Sequence, residues 1–335
     1  MHHLELAQIR KSFGETRAVH DLTLHVERGE ILSILGPSGC GKTTTLRMIA
    51  GLETPTAGAI LSNGTDITRL PARARNMGMV FQNYALFPHL DVFENIAFGL
   101  KTRRLATNII QQRVKKALAN VRMDGYERRP VHQLSGGQQQ RIALARALAI
   151  EPEVLLLDEP LSNLDPSLRE DLRDQIRTII RELAVTTVFV THDQQEAFAL
   201  ADRVAIMNTG ICRQIGKPEE VYNQPADTFI ATFLGKANLL PGKLMGLDET
   251  VVVMVRPENV VVATEPEPGT DGVVKNFGAI VKKTVFEGSI VTYTLDINGT
   301  PLTARVLHHG GSAFQPGTSV KISIPSDGLH VLPKP

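Results

Sequence analysis

Residues 4–9 and 20–26 alternate apolar and polar side chains. That period of two predicts half-buried strands, here an antiparallel pair. The run Glu30-Ile31-Leu32-Ser33-Ile34-Leu35 is mostly apolar and bounded by Gly29 and Gly36, the pattern of a buried strand. Three further short apolar runs, at 77–81, 154–157 and 187–191, read the same way. Between them the period changes. Helices are expected at 42–50, 108–120, 135–149 and 168–183, with 91–149 mostly helical. The four buried strands deliver Gly36, Gln82, Asp158 and His192 at their C-terminal ends. In open parallel sheets, ligands bind outside those ends. The chemistry is therefore expected on one edge of one sheet, in an α/β domain.

After about Leu234 the helical spacing gives way to short alternating runs at 251–255, 260–263, 279–285, 290–297, 302–306 and 320–324. Asn298-Gly299, between two of these runs, is a strong hairpin signal. Pro266, Pro268, Gly269 and Gly272 mark a loop. A small all-β domain over 236–335, a barrel, is expected to follow a domain over 1–235. The length of 335 residues suits two domains.

Charge changes this picture little. Lys+Arg 36 against Asp+Glu 35 gives a net charge of +1, which argues against a nucleic-acid binder. Residues 101–129 depart from the balance, with nine basic and two acidic side chains. They read as a solvated helix surface, or as a face near anionic lipid or a membrane partner. Cys40 and Cys212 have no metal-ligand spacing, and a reducing compartment fits. The N-terminus lacks the pattern of a signal peptide, and no apolar run approaches the roughly 20 residues that span a bilayer. A membrane role would have to come through a partner.

Gly36-Pro37-Ser38-Gly39-Cys40-Gly41-Lys42-Thr43 is a phosphate loop between a strand and a helix. Its glycines let backbone N–H groups converge on phosphate, and the helix N-terminus faces the same anion. Lys42 adds a point charge on the outer phosphates, and the Thr43 hydroxyl is a Mg²⁺ ligand. Asp158 is placed to hold Mg²⁺ through water, and Glu159, the next residue, to act as general base on an attacking water. Standing alone, the two acids could simply end a strand. Lone counterparts of His192 and Gln82 would be a structural histidine and a strand-end amide. On this edge His192 reads as a γ-phosphate contact, and Gln82 as a sensor of metal and water. Ser135-Gly136-Gly137-Gln138 opens a helix about a hundred residues after the phosphate loop, with Ser135 as N-cap. Its N–H groups suit a γ-phosphate, although a plain helix cap reads equally well from the segment alone. Phe13, expected in a loop after the first strand, is either a packing aromatic or a stack for adenine worth about 0.5–1.5 kcal/mol. Cys40 reads as a small filler that confers thiol sensitivity.

These residues resemble the ATP-binding-cassette transporter ATPases over 4–235. Leu134 and the segment to Arg141 are similar to that family's signature, Ser162-Asn163-Leu164-Asp165 to its inter-subunit loop, and His192 to its switch histidine. Phe13 stands where a tyrosine or tryptophan is frequent. The resemblance implies a P-loop NTPase (RecA-like) core with an antiparallel β-subdomain and a helical subdomain at about 83–150. It also implies a C-terminal OB-like barrel, marked by Val255-Arg256-Pro257-Glu258, that is regulatory in bacterial importers. It implies a head-to-tail homodimer and ATP with Mg²⁺ as cofactors. The nucleotide contacts would be Phe13, Val19, Gly36, Pro37, Ser38, Gly39, Cys40, Gly41, Lys42, Thr43, Thr44 and Gln82, with Ser135, Gly136, Gly137 and Gln138 from the second subunit. Metal contacts fall to Thr43, Gln82 and Asp158; catalysis falls to Glu159, His192 and Lys42. Two transmembrane permease subunits and an extracytoplasmic solute-binding protein are the implied partners, at the cytoplasmic face of the bacterial inner membrane. Phe233-Leu234-Gly235 followed by Ala237-Asn238 resembles the ferric-iron importers; polyamine, sulfate, thiamine and sugar importers are alternatives.

Rival readings fare worse. DNA-associated cassette ATPases carry a long coiled-coil insertion, but only about fifty residues separate Gln82 from Leu134 and no long heptad run appears. A GTPase would carry an Asn-Lys-x-Asp segment, which is absent. The C-terminal β-domain, with no fused spans, favours an importer over an exporter.

Overall fold

In a computed structural model the chain is described over residues 2–264 and 273–334. The chain divides into two units, Met1–Pro218 and Glu219–Pro335. The loop expected at 266–272 lies outside the described residues.

The first unit opens with β1 (Leu4–Phe13) and β2 (Thr16–Val26), which pair antiparallel as their alternation requires. Phe13 is the last residue of β1, paired with Thr16, so it does not lie in a loop beyond the strand. The hairpin continues the strand because Gly14 takes the left-handed conformation at φ 57°. Then come β3 (Ile31–Leu35), α1 (Lys42–Ala50), β4 (Ala57–Ser62), β5 (Thr65–Asp66) and β6 (Met77–Val80). The helical part holds α2 (Val92–Thr102), α3 (Thr107–Asn120) and α4 (Gly136–Ala149). After it follow β7 (Val154–Asp158), α5 (Pro166–Glu182), β8 (Thr186–Thr191), α6 (Gln194–Leu200), β9 (Arg203–Asn208) and β10 (Ile211–Gly216).

Two sheets result, ordered β2-β1-β4-β5 and β10-β9-β3-β8-β7-β6. Every residue of β3, β7 and β8 is buried, which explains their unbroken apolar runs. The four strands expected at the site are immediate neighbours, in the order β3-β8-β7-β6, and run parallel. One core cluster joins Leu4, Leu6 and Leu24 of the first sheet, Leu46 and Met48 of α1, and Leu32, Ile34, Val188 and Val190 of the second. That packing fixes α1 against the strand ends. In the helical part, Asp91 caps α2 by accepting from Glu94 N at 2.8 Å. The apolar stripe Val92, Ile96 and Leu100 is fully buried. No helix among the described residues is long and apolar enough to cross a membrane.

The second unit holds α7 (Pro218–Asn223) from its second residue on and α8 (Thr228–Phe233), then β11 (Asn238–Pro241), α9 (Gly242–Met245), β12 (Val251–Val255) and β13 (Val261–Ala263). It ends with β14 (Val273–Phe286), β15 (Ile290–Ile297), β16 (Thr300–Leu307), β17 (Ser319–Pro325) and β18 (Leu329–Pro333). All pairings are antiparallel, in sheets ordered β11-β12-β18 and β13-β17-β14-β15-β16. Leu240, Val253 and Val255 of the smaller sheet share one core with Val281, Leu295, Leu302 and Ile322 of the larger. The alternation predicts the all-β character, and the curled, OB-like antiparallel form agrees with what the family resemblance implies. Asn298 and Gly299 both take positive φ, 50° and 89°, the two-residue turn predicted between β15 and β16.

The texture of the sequence changes near residue 235, yet α7 and α8 belong to the second unit. Arg256 supplies the reason. Its side chain is 1% exposed and donates to Tyr222 O and Ala231 O, each at 2.7 Å, and to Lys236 O at 3.3 Å. The guanidinium also lies 4.0 Å from the Tyr222 ring. Burial lowers its pKa, partly offset by Tyr222 and Glu258. Arg256→Met is expected to orphan those carbonyls and destabilise the second unit by about 3 kcal/mol, read as a lower urea midpoint for its unfolding in the full chain.

Candidate functional site

Backbone spacing builds the cradle. A Cβ at Gly36 would lie 2.2 Å from Met207 O and 2.6 Å from Cys40 Sγ, so no other residue fits. Gly41 has φ 102°, and a Cβ there would meet Ala18 O at 2.4 Å and Val19 at 3.3 Å. Val19 is thus in place against the loop. Ser38 and Gly39 are exposed at the apex. Cys40 is buried, as a filler should be, and burial pushes its thiol pKa up. No side chain caps α1, which begins at Lys42, so its first N–H groups stay available for an anion. Lys42 is buried and donates to Gly36 O at 2.8 Å and Pro37 O at 2.9 Å, folding its ammonium along the loop. Thr43 and Thr44 are half-buried in the first turn.

The acids stand one strand beyond β8. Thr43 Oγ1 donates to Asp158 Oδ1 at 3.2 Å. Asp158 ends β7 at 5% exposure, and burial raises its pKa; the Thr43 bond and the charges of Arg47 and Lys42 oppose that rise. A hydroxyl and a carboxylate in contact form a hard-oxygen pair, which fits Mg²⁺. Glu159 follows with φ 45°, a left-handed conformation that costs a non-glycine residue on the order of 1 kcal/mol. Its Oε2 accepts from Gln82 Nε2 at 3.2 Å and lies 3.1 Å from His192 Nδ1. Gln82, Glu159 and His192, from three different strand ends, thus converge on one oxygen.

Further residues hold them, and the sequence reading passed over most. Asn163 donates to Gln82 O at 2.8 Å, and Ser162 Oγ to Glu159 O at 3.0 Å. Arg146 of α4 donates to Ala85 O at 2.7 Å and Tyr84 O at 2.8 Å, clamping the left-handed turn after Gln82. Asn95, fully buried, accepts from Phe87 N and donates to Phe87 O, Leu90 O and Asp91 O. Beside His192, Thr191 Oγ1 donates to buried Glu196 at 2.6 Å, and Asp193 accepts from Gln195 N and Glu196 N. The pattern Asp193-x-x-Glu196 was a legible capping signal for α6. Nothing in the sequence pattern marks Arg146 or Asn95, whose partners are backbone carbonyls.

Two predicted groups stay apart from this cluster. Phe13 is exposed, with Lys11 Nζ 4.7 Å from its ring centroid. Ser135 and Gln138 form a full capping box: Ser135 Oγ accepts from Gln138 N at 3.3 Å, and Gln138 Oε1 accepts from Ser135 N at 3.0 Å. Gln138 Nε2 also donates to Tyr126 at 3.4 Å. None of these bonds reaches 36–43, Gln82, Asp158, Glu159 or His192. Gly136 faces Leu164, whose Cδ2 would be 3.3 Å from a Cβ there.

Comparison with known proteins bears on both units. Residues 19–162 match the family model described as ABC transporter, and residues 253–332 that of the TOBE domain. A spermidine/putrescine import ATP-binding protein of Acetivibrio thermocellus is 42% identical, over 99% of this chain and 96% of that protein. An Fe(3+) ions import ATP-binding protein of Pectobacterium atrosepticum is 47% identical, over 98% and 96%. Among solved structures, cbiO1 of Clostridium perfringens, part of an ABC transporter complex, aligns with TM-score 0.62 at 30% identity, over 66% of this chain and 90% of that one. A dimeric bacterial ABC transporter cassette aligns with TM-score 0.58 at 30% identity, over 64% and 98%.

The raised pKa of Asp158 has a sign that can be tested. The folded state holds this proton more tightly than the unfolded chain. Stability is therefore lost as pH rises from the ordinary aspartate range through the folded value, and stays lost above it. Asp158→Asn is expected to raise the melting temperature of the nucleotide-free protein at pH 7 while lowering ATP hydrolysis about hundredfold or more. Thermal melts from pH 4 to 8 beside phosphate-release assays check both.

Proposed function

The chain belongs to the ABC transporter family as an ATP-hydrolysing import subunit, and from that premise we propose how its residues work and what it serves. Backbone N–H groups of 36–43 and Lys42 bind and orient the phosphates. Thr43 and Asp158, with Gln82 nearby, would hold Mg²⁺, which supplies charge to offset the phosphate oxygens. Glu159 takes the proton of the attacking water. His192, oriented by its Nδ1 contact to Glu159, presents Nε2 to the γ-phosphate. Gln82 bonds the base directly, so any shift of its amide towards metal or water changes what the base can accept. The observation that carries this reading is the convergence of Gln82, Glu159 and His192 on one oxygen beside the Thr43–Asp158 pair.

One chain leaves 135–138 without a phosphate. We assign them to the second site of a head-to-tail homodimer, with Phe13 and Val19 against the adenine of the first. The dimeric cassette among the similar structures supports this arrangement. The motor would span 1–235, with a helical subdomain at about 83–150 facing two permease subunits. Residues 236–335 would serve as the regulatory domain. The working place is the cytoplasmic face of the inner membrane, with cargo delivered by an extracytoplasmic solute-binding protein. Ferric iron is the proposed cargo, supported by the higher identity of the Fe(3+) importer relative, 47% against 42% at similar coverage. Polyamine is the second reading, since a spermidine/putrescine relative matches over the full length.

Glu159→Gln keeps the shape and the Gln82 side of the network but removes the base. Turnover is expected to fall about 10²–10⁴-fold with ATP still bound, leaving an ATP-bound dimer on size exclusion. Near-normal hydrolysis would overturn the assignment. Ser135→Arg should also abolish hydrolysis; full activity as a monomer would refute the shared site. For the cargo, a deletion strain should lose uptake of labelled ferric iron and keep that of labelled spermidine. The reverse would select the polyamine reading.

A further inference from the structure

Away from the nucleotide edge, two imidazoles and a carboxylate meet beside the end of β2. His2 Nδ1 is 2.6 Å from Glu27 Oε1. The His2 and His25 rings stack with centroids 4.1 Å apart and planes 25° from parallel. One ligating atom from each of His2, His25 and Glu27 lies within 4.8 Å of the other two. Backbone pairing brings them together. His3 N donates to Val26 O, Leu4 pairs with Val26, and Glu5 pairs with His25. The neighbouring His3 ring is anchored at 2.5 Å to Thr186 Oγ1 at the start of β8. The segment bearing His2 is thus held in place before any ligand arrives.

A solvated hydrogen bond explains His2 and Glu27, but not the second imidazole stacked on the first. Two imidazoles with a carboxylate form a borderline donor set that suits Zn²⁺ and its neighbours better than Mg²⁺ or Ca²⁺. Tetrahedral Zn²⁺ with bonds of about 2.0–2.1 Å needs ligand atoms roughly 3.3 Å apart. The His2–Glu27 pair must open slightly and no pair need close by more than about 1.5 Å, within reach of side-chain rotation for one exposed and two half-exposed residues.

We propose that His2, His25 and Glu27 form a three-ligand surface site for a divalent transition metal, Zn²⁺ fitting best, that ties the N-terminal residues to the end of β2. The fourth position faces water. None of the three residues belongs to the hydrolytic machinery, so occupancy is expected to act on the stability of the first sheet.

The test uses the full, untagged chain, free of nucleotide and Mg²⁺, titrated with Zn²⁺ against a chromophoric chelator. One Zn²⁺ per chain at micromolar affinity is expected, weakened at least tenfold by His2→Gln or His25→Gln. Saturating Zn²⁺ should raise the melting temperature by a few degrees in the wild type and not in the double variant. The double variant should match the wild type in metal-free melting and in Mg²⁺-dependent ATPase rate. Unchanged stoichiometry and affinity in the double variant would overturn the proposal, placing Zn²⁺ elsewhere, for example on Cys212. So would no wild-type binding at 100-fold higher concentrations than micromolar.

Discussion

Leu35 pairs with Thr191, Asp158 with Val190, and Val80 with Leu157. This parallel register sets the distances between the groups proposed to act on phosphate. It brings the phosphate loop, His192, the two acids and Gln82 out on one edge, a strand spacing apart. A one-residue slip would turn every side chain of the slipped strand to the opposite face. Close packing on both faces opposes the slip, since every residue of β3, β7 and β8 is buried and would have to exchange one fitted surrounding for another. The pairing that stabilises the sheet also sets the reach of Glu159.

Upon that frame the protein accepts local penalties. Asp158 keeps its carboxylate in a desolvated position, and Glu159 adopts a backbone conformation that glycine would adopt more easily. Both are adjacent residues at the end of the same buried strand. Their surroundings over-determine them: Thr43 bonds the first, while Val190 O, Gln82 and His192 bond the second. Such concentration of unfavourable terms in two residues is what a site with a high local charge demand would produce.

Much of this was legible in the chain. The phosphate loop and the acids stand at ends of continuous apolar runs, and such runs have few alternatives to a buried parallel strand. Phe13 was misplaced because β1 persists through mixed polar positions as far as its hairpin. β4 and β10 escaped notice because Ala57, Gly58 and Ala59, or the partly exposed 211–215, break alternation, and β5 because it is only two residues long; β9 carries a buried apolar run, Val204 to Met207, like the strands that were recognised, and was passed over. Arg256 was visible as a marker but not as a strut, since its partners are main-chain carbonyls 20 to 34 residues away in sequence. Arg146 and Asn95 share that cause. Side chains that bond to backbone leave no pattern, because every residue type offers the same carbonyl.

The capping box at Ser135 has one more consequence. In it the Ser135 hydroxyl accepts from Gln138 N, and the Gln138 side-chain oxygen accepts from Ser135 N. Neither bond uses the hydroxyl proton. A phosphate docking there, as proposed for the second subunit's nucleotide, would take that proton and leave both cap bonds in place. The helix would then begin the same way with its guest and without it, and a clamp that opened would have no helix end to rebuild.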